Sequence, residues 1–338
     1  MMMDLPELII LDVGHGGCAV LRDMNDTIII DCAPGSTLLE TLNALGIHEI
    51  SNILISHADS DHIAGIITLL TSLEIRVHNI FLNPDAVKDT EIWENFRFAV
   101  KDARKRFSNR TRVHTALTIE QTGQFDTEQV KIEVLAPSPE LAMSGVGGRD
   151  LHGRKLGSNS MSVVLGLVHD THRVALLPGD IDEVGLSNLG EECSDLRADI
   201  LIFPHHGGKA GNTDGEKYAY TLSTMVKPKV VFFSFDRNLF NNPREEIIRG
   251  VKTAVPKANI LCTQLSKKCA VQPPSSSFNH LSTLPAKGRS KNNCCGGSIL
   301  IKINGRETIS NSLFKLHNNF IRSNVPMAMC LRSVNIIE

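Results

Sequence analysis

Aromatic side chains are scarce: one Trp, two Tyr and 13 Phe among 338 residues. So few stacking surfaces argue against an extensive groove for unpaired bases. Charge of one sign is also lacking, since 35 Lys and Arg face 37 Asp and Glu. A net charge of -2 gives no global attraction to nucleic acid or to an anionic membrane, so any contact with a polyanion has to be local. No apolar run has the length of a membrane span, and Met1–Pro6 has no basic segment leading into a hydrophobic stretch. Neither insertion nor export is signalled, and the cytoplasm is the expected compartment. Eight cysteines fit that compartment as thiols or ligands rather than disulfides.

What is present is a large hydrophobic share, 42%, enough for a sizeable core. Against it stands one dense polar run, Ser56-His57-Ala58-Asp59-Ser60-Asp61-His62, directly after the apolar Asn52-Ile53-Leu54-Ile55. Imidazoles and carboxylates at alternating positions, ending in an adjacent Asp-His pair, let one loop feed two cations: His57 and Asp59 one, Asp61 and His62 the other. The plainer reading is an acidic turn capping a helix that starts near His62. Capping accounts for Asp59 or Asp61 but for neither histidine.

Two further apolar strands end in ligand-type residues. Val174-Ala175-Leu176-Leu177 runs into Pro178-Gly179-Asp180, and Asp199-Ile200-Leu201-Ile202-Phe203 runs into Pro204-His205-His206-Gly207-Gly208. With the opening Leu11-Asp12-Val13-Gly14-His15-Gly16 and the later Ser158-Asn159-Ser160-Met161-Ser162, this order resembles the metallo-β-lactamase superfamily. Within it the chain is most similar to the soluble hydrolase domain of the ComEC family of DNA-uptake competence proteins, whose pattern has an Asp, here Asp59, where most of the superfamily has a second His. The likeness runs over roughly residues 8 to 305 and rests on five motifs in order.

The resemblance implies an α+β fold, a four-layer αβ/βα sandwich. It divides the chain into a hydrolase domain over 1–305, with a Cys-flanked polar insertion near 263–293, and a C-terminal extension over 306–338. Strands are expected at Leu8–Val13, Ala19–Leu21, Thr27–Asp31 and Val130–Leu135. Helices are expected from Ser36 to about Leu45 and from His62 to Leu73, and the composition of 85–107 is helical. Cys262, Cys269, Cys294 and Cys295 flank the insertion; they are either thiols packing its base or ligands of a structural zinc, although their spacing matches no common zinc motif.

The expected centre holds two divalent metal ions, zinc or manganese, on His57, Asp59, Asp61, His62, Asp180 and His205, with Asp180 bridging. Sequence alone does not decide which of His205 and His206 is the ligand; His206 is then assigned to catalysis with Asp61 and Asn159. His15 and Asp31 are expected to orient ligands. A paired-metal site of this kind activates water and clamps the oxygens of an in-line displacement at phosphorus. The loop with Gly14, Gly16 and Gly17 leads into a strand rather than a helix, which excludes a dinucleotide cradle.

For substrate, Arg104, Lys105 and Arg106 lie in a basic stretch able to follow a phosphate backbone or to serve as a solvated helix end. Arg149, Arg154 and Lys155 belong to a glycine-rich loop expected to form a lid or to be disordered. Asn242-Pro243 stands where the resembling family has His-Pro. The expectation is a metal-dependent phosphodiesterase or nuclease with DNA as substrate and no membrane partner. The alternatives are an RNA or cyclic-nucleotide phosphodiesterase, a thioester or lactam hydrolase of the same fold, and a catalytically silent metal-binding module.

Overall fold

The computed structural model describes residues 4–85, 88–108, 110–275, 279–308 and 311–332. The strands of the first half are β1 (Glu7–Ile10), β2 (Ala19–Asp23), β3 (Asp26–Ile30), β4 (Glu49–Ile55), β5 (Arg76–Leu82) and β6 (Arg112–His114). Those of the second half are β7 (Lys131–Ala136), β8 (Val164–His169), β9 (His172–Leu177), β10 (Ile200–Ile202), β11 (Val230–Phe233) and β12 (Asn259–Cys262). A last strand, β13 (Ile299–Lys302), returns to the first sheet beside β1. One sheet has the order β13-β1-β2-β3-β4-β5-β6 and the other β12-β11-β10-β9-β8-β7.

Side-chain alternation explains the layers. Leu8 and Ile10, Ile28 and Ile30, and Leu54 point into the core between the sheets, where they meet Ile132, Leu165, Leu177, Val230 and Phe232. Their neighbours Ile9, Ile29, Ile53 and Ile55 point the other way. With both faces covered, these strands are nearly continuous apolar runs. The outer face of the first sheet is covered by α1 (Thr37–Ala44), α2 (Ser60–Thr71) and α3 (Glu91–Arg106). After α4 (Pro139–Ser144), the helices α5 (Glu183–Glu192), α6 (Gly215–Val226) and α7 (Glu245–Ala254) cover the second sheet. The result is the four-layer αβ/βα sandwich.

Helix α3 shows why the basic stretch folds as it does. Trp93, Phe96, Ala99 and Ala103 recur at helical spacing and are buried, and Thr90 caps the N-terminus by accepting a bond from the Trp93 amide at 3.3 Å. Strand β1 is shorter than expected because the chain turns at Asp12. This buried carboxylate accepts from Gln264 Nε2 and the Gly288 amide, both at 2.9 Å, and from the Gly14 amide at 3.2 Å. It thereby ties the polar insertion to the loop beneath the second sheet's strand ends.

Of the thiols flanking that insertion, Cys262, Cys269 and Cys295 pack together with Cys330, and Cys294 stands apart. Cys294 turns toward Asp12 at 3.7 Å, whereas Cys295 lies 3.2 Å from His317 Nε2. His317 sits on the last helix, α8 (Asn311–Asn324), whose Phe320 and Ile321 pack with Leu265 and Cys295. No described helix is long and apolar enough to cross a membrane.

Candidate metal centre

The ligand-type residues converge from both sheets. Strand β4 ends at Ile55 and opens into a short loop with His57 and Asp59, after which Asp61 and His62 stand in the first turn of α2. Strands β9 and β10 end just before Asp180 and His205-His206. Ligand atoms of Asp61, His62, Asp180 and His206 all lie within 4.8 Å of one another. Among the described residues this is the one such group of three or more metal-type side chains.

Each member is aimed by a neighbour. Asp31 lies 2.7 Å from His62 Nδ1 and accepts from the Ser56 amide and hydroxyl, also at 2.7 Å. A proton on Nδ1 leaves the Nε2 lone pair facing Asp180 at 3.7 Å. The His205 amide donates to Asp180 Oδ1 at 2.8 Å, while Oδ2 faces His62 Nε2 and His206 Nε2 at 3.7 Å and His205 Nδ1 at 3.5 Å. His206 Nε2 lies 3.3 Å from Asp61 Oδ2, and His15 Nε2 is equally close to the same oxygen. His15 also packs its ring against His206 and against the exposed Phe240, with centroids 4.6 Å apart in both cases.

Two glycines make this proximity feasible. A Cβ on Gly16 would come within 2.3 Å of the Asp61 carbonyl, and one on Gly179 within 2.5 Å of Ser56 Cβ; both have positive φ.

The electrostatics follow from burial against charge. Burial would raise the Asp61 carboxyl, but the imidazoles of His15 and His206 beside its Oδ2 and the charge of His62 outweigh it and hold the group well below the usual range. The same contest on Asp180 is decided by His206, His205 and His62, again far below the usual range. Burial would lower His62, yet the charges of Asp31 and Asp180 push it well above its ordinary value. His57, buried and beside His62, is lowered to about 4 and stays neutral, the state in which an imidazole ligates.

The centre fits a divalent cation. The Nε2 atoms of His62 and His206 are buried without a hydrogen-bond partner, which is costly unless something electrophilic faces them. A space of about 40 Å3 adjoins Asp31, His62, Asp180 and His206 on their core side, where Ile10, Ile30, Leu177 and Phe203 complete its walls.

The geometry departs from the sequence-based assignment in several places. His206, not His205, enters the four-residue group. Both have left-handed backbones, φ 51° and 55°, and this turn sends the His205 ring toward the Ile181 carbonyl at 3.1 Å. Asp59 lies outside the group: its side chain does not cap α2, and it contacts Lys88 Nζ at 3.1 Å and His57 Nε2 at 3.6 Å. The Asn159 Oδ1 atom is buried and unpartnered.

Among the cations, Arg106 is bound to Asp102 and to the Leu70 and Ser72 carbonyls, closing the C-terminus of α2 rather than facing a ligand. Arg154 is held by Asp150 at 2.7 Å, and Asp150 also receives Asn188 of α5. The glycine-rich loop is therefore fastened to α5 instead of free as a lid, and of its three arginine and lysine candidates Arg149 and Lys155 are exposed. Lys88 and Phe240 were not foreseen. Lys88 lies in a stretch read as helix, and an isolated Phe carries no signal.

Replacing Asp31 with Asn should leave His62 in place but weaken its orientation and basicity. We expect divalent metal affinity to fall roughly 10- to 100-fold, measured by competition with a chromogenic chelator; unchanged affinity would remove Asp31 from the centre.

Residues 11–80 match the family model described as Metallo-beta-lactamase superfamily. ComE operon protein 3 of Bacillus subtilis (strain 168) is 26% identical over 218 residues, 63% of this chain and 23% of that protein. The chain thus aligns with under a quarter of that relative's length. Similar solved structures include the metallo-beta-lactamase fold protein YhfI from Bacillus subtilis, at 11% identity and TM-score 0.47, covering 76% of this chain and 96% of that one. Another is Igni18, a metallo hydrolase from the archaeon Ignicoccus hospitalis, at 14% identity and TM-score 0.47, covering 88% of this chain and 100% of that one.

Proposed function

Because the chain carries a metallo-β-lactamase superfamily domain, and its strand ends gather two carboxylates and two imidazoles with unbonded Nε2 atoms within 4.8 Å, we propose that it is a metal-dependent phosphodiesterase acting on DNA. That convergence is the observation on which the reading rests. Asp61, His62, Asp180 and His206 would hold one divalent ion. His57, with Asp59 once Lys88 yields it, would complete a second, weaker place.

When bound, zinc or manganese supplies Lewis acidity and activates water. The protein's own groups do the rest. Asp61 stays ionised and at the loop surface, placed to orient the attacking water. Asp31 keeps the His62 proton on Nδ1. His15, against Asp61 and exposed on one side, is placed to meet a phosphoryl oxygen, and Lys88 adds positive charge beside Asp59. A carboxylate-rich ligand set is harder than an all-imidazole one and favours oxygen-rich substrates and manganese. This supports a phosphodiester over a thioester or lactam.

The test is a substrate panel with manganese- or zinc-loaded protein: single-stranded DNA, duplex DNA, RNA, a cyclic dinucleotide, a nitrophenyl phosphodiester, a thioester and a β-lactam. Cleavage of DNA and of the nitrophenyl diester, abolished by chelator, is the expected result. Turnover of the thioester or lactam alone would replace the reading, and no turnover of any substrate by metal-loaded protein would leave the metal-binding module.

A further inference from the structure

A cavity far larger than the space beside the ligands lies along another face. A cleft of about 790 Å3 runs along α3, its floor made of the half-buried Val100 and Val113 and of the edges that the buried Leu82, Trp93 and Phe96 present, Trp93 at 7% exposure, and its rim of Lys88, Arg97, Lys101, Arg104 and Lys105. Among the described residues no carboxylate lines it. Lys88 joins it to the metal centre, since its ammonium lies 3.1 Å from Asp59 Oδ1 and 2.8 Å from Asp85 Oδ2.

The other four cations are exposed, and none has an ion-pair partner among the described residues. Arg97, Lys101 and Lys105 follow one another at i,i+4 on one helix face, with Arg104 between them. Like charges at that spacing repel, and nothing in the cleft neutralises them. Arg106, by contrast, is paired and structural. An anion with several charges is the ligand that this rim lacks.

The floor narrows the choice. Simple phosphate or a duplex backbone would satisfy the rim and leave the apolar floor wet, because in a duplex the base faces are stacked on one another. An unpaired strand offers both phosphates for the rim and a base face for the floor.

We propose that the α3 cleft is the binding channel for the single-stranded stretch adjoining the scissile phosphate, its phosphates on Arg97, Lys101, Arg104 and Lys105 and a base over the Trp93 floor. Lys88 marks the end of the channel nearest the metal ligands. This inference rests on the phosphodiesterase reading for its substrate, but the cleft and its charge stand apart from the chemistry.

The chain supplies its own probe, because Trp93 is the single tryptophan. Full-length protein stripped of metal, so that nothing is cut, is titrated with oligothymidylate while Trp93 emission and the anisotropy of a labelled strand are followed. Saturable binding that moves the emission is expected. The double variant Arg97→Glu with Lys101→Glu should bind weakly, its dependence on log salt flattened by about 1.4, the value for two single-strand phosphate contacts. The charge-preserving variant Arg97→Lys with Lys101→Arg should bind nearly as the parent does, which separates charge from folding.

Absence of binding, or binding that leaves Trp93 emission and the salt slope unchanged in the reversed variant, overturns the channel. So does an equal emission change with duplex DNA, polyglutamate or phosphatidylglycerol vesicles. If the titration succeeds and metal-loaded protein cuts no phosphodiester, the hydrolase reading falls and the channel stands. If the parent cuts DNA and charge reversal alters neither kcat/KM nor its salt dependence, the channel falls and the hydrolase reading stands.

Discussion

Asp61→Ala is expected to lower phosphodiester turnover by about 100-fold or more while the far-ultraviolet circular dichroism and the unfolding transition stay near those of the parent. The side chain sits in the first turn of α2 and is about a quarter exposed, so its removal opens no core cavity. Functionally it is the oxygen shared by His15 and His206 and one of four converging ligand atoms. Its loss would remove a ligand and leave two imidazoles facing each other unscreened. The assay is an activated diester small enough to bypass the α3 cleft. A variant that keeps more than about a tenth of the parental rate would show that Asp61 neither ligates nor positions.

The second large effect is a contrast between neighbours. His206→Ala should abolish tight binding of one divalent ion and reduce turnover by about 100-fold or more, because its Nε2 is buried, partnerless and within the ligand group. His205→Ala keeps the amide that holds Asp180 Oδ1 and loses the ring contacts to the Ile181 carbonyl and, at 3.5 Å, to Asp180 Oδ2. Its metal affinity should change by about tenfold or less, in the range of residues that support ligands without touching metal. Isothermal titration of both variants with zinc or manganese decides the matter. If His205→Ala loses the ion and His206→Ala keeps it, the ring assignments made from the backbone turn are reversed.

That pair also shows where sequence stops being sufficient. The strands and covering helices were legible because apolar runs of strand length and residues at helical spacing bury the same faces in any packing of this kind. Asp61, His62 and Asp180 were legible because each follows an apolar strand directly, and Asp31 because it ends one. The choice between His205 and His206 depends on two consecutive left-handed dihedrals, a feature of a four-residue turn that residue type does not encode. Arg106 and Arg154 looked like substrate contacts because a cation's partner is set by tertiary geometry, here two helix carbonyls and a buried aspartate. Lys88 escaped notice for the complementary reason. Its stretch has helical composition, yet α3 starts only after Thr90, and the irregular backbone before it carries the ammonium across to Asp59.

The ligand group is split between the two sheets, and this separates the appearance of chemistry from the appearance of structure along the folding route. The loop that ends β4 can form with the first sheet, whose strands β1 to β6 are contiguous in the chain. It then presents Asp61 and His62 with nothing opposite. Asp180 and His206 arrive only when β9 and β10 have paired and their sheet has docked, a closure between segments far apart in sequence and therefore late and slow. An emerging or partly unfolded chain thus holds no hydrolytic centre. A cation bridging the halves would reward only the completed sandwich, so that its binding energy adds to the stability of the whole molecule rather than of either half.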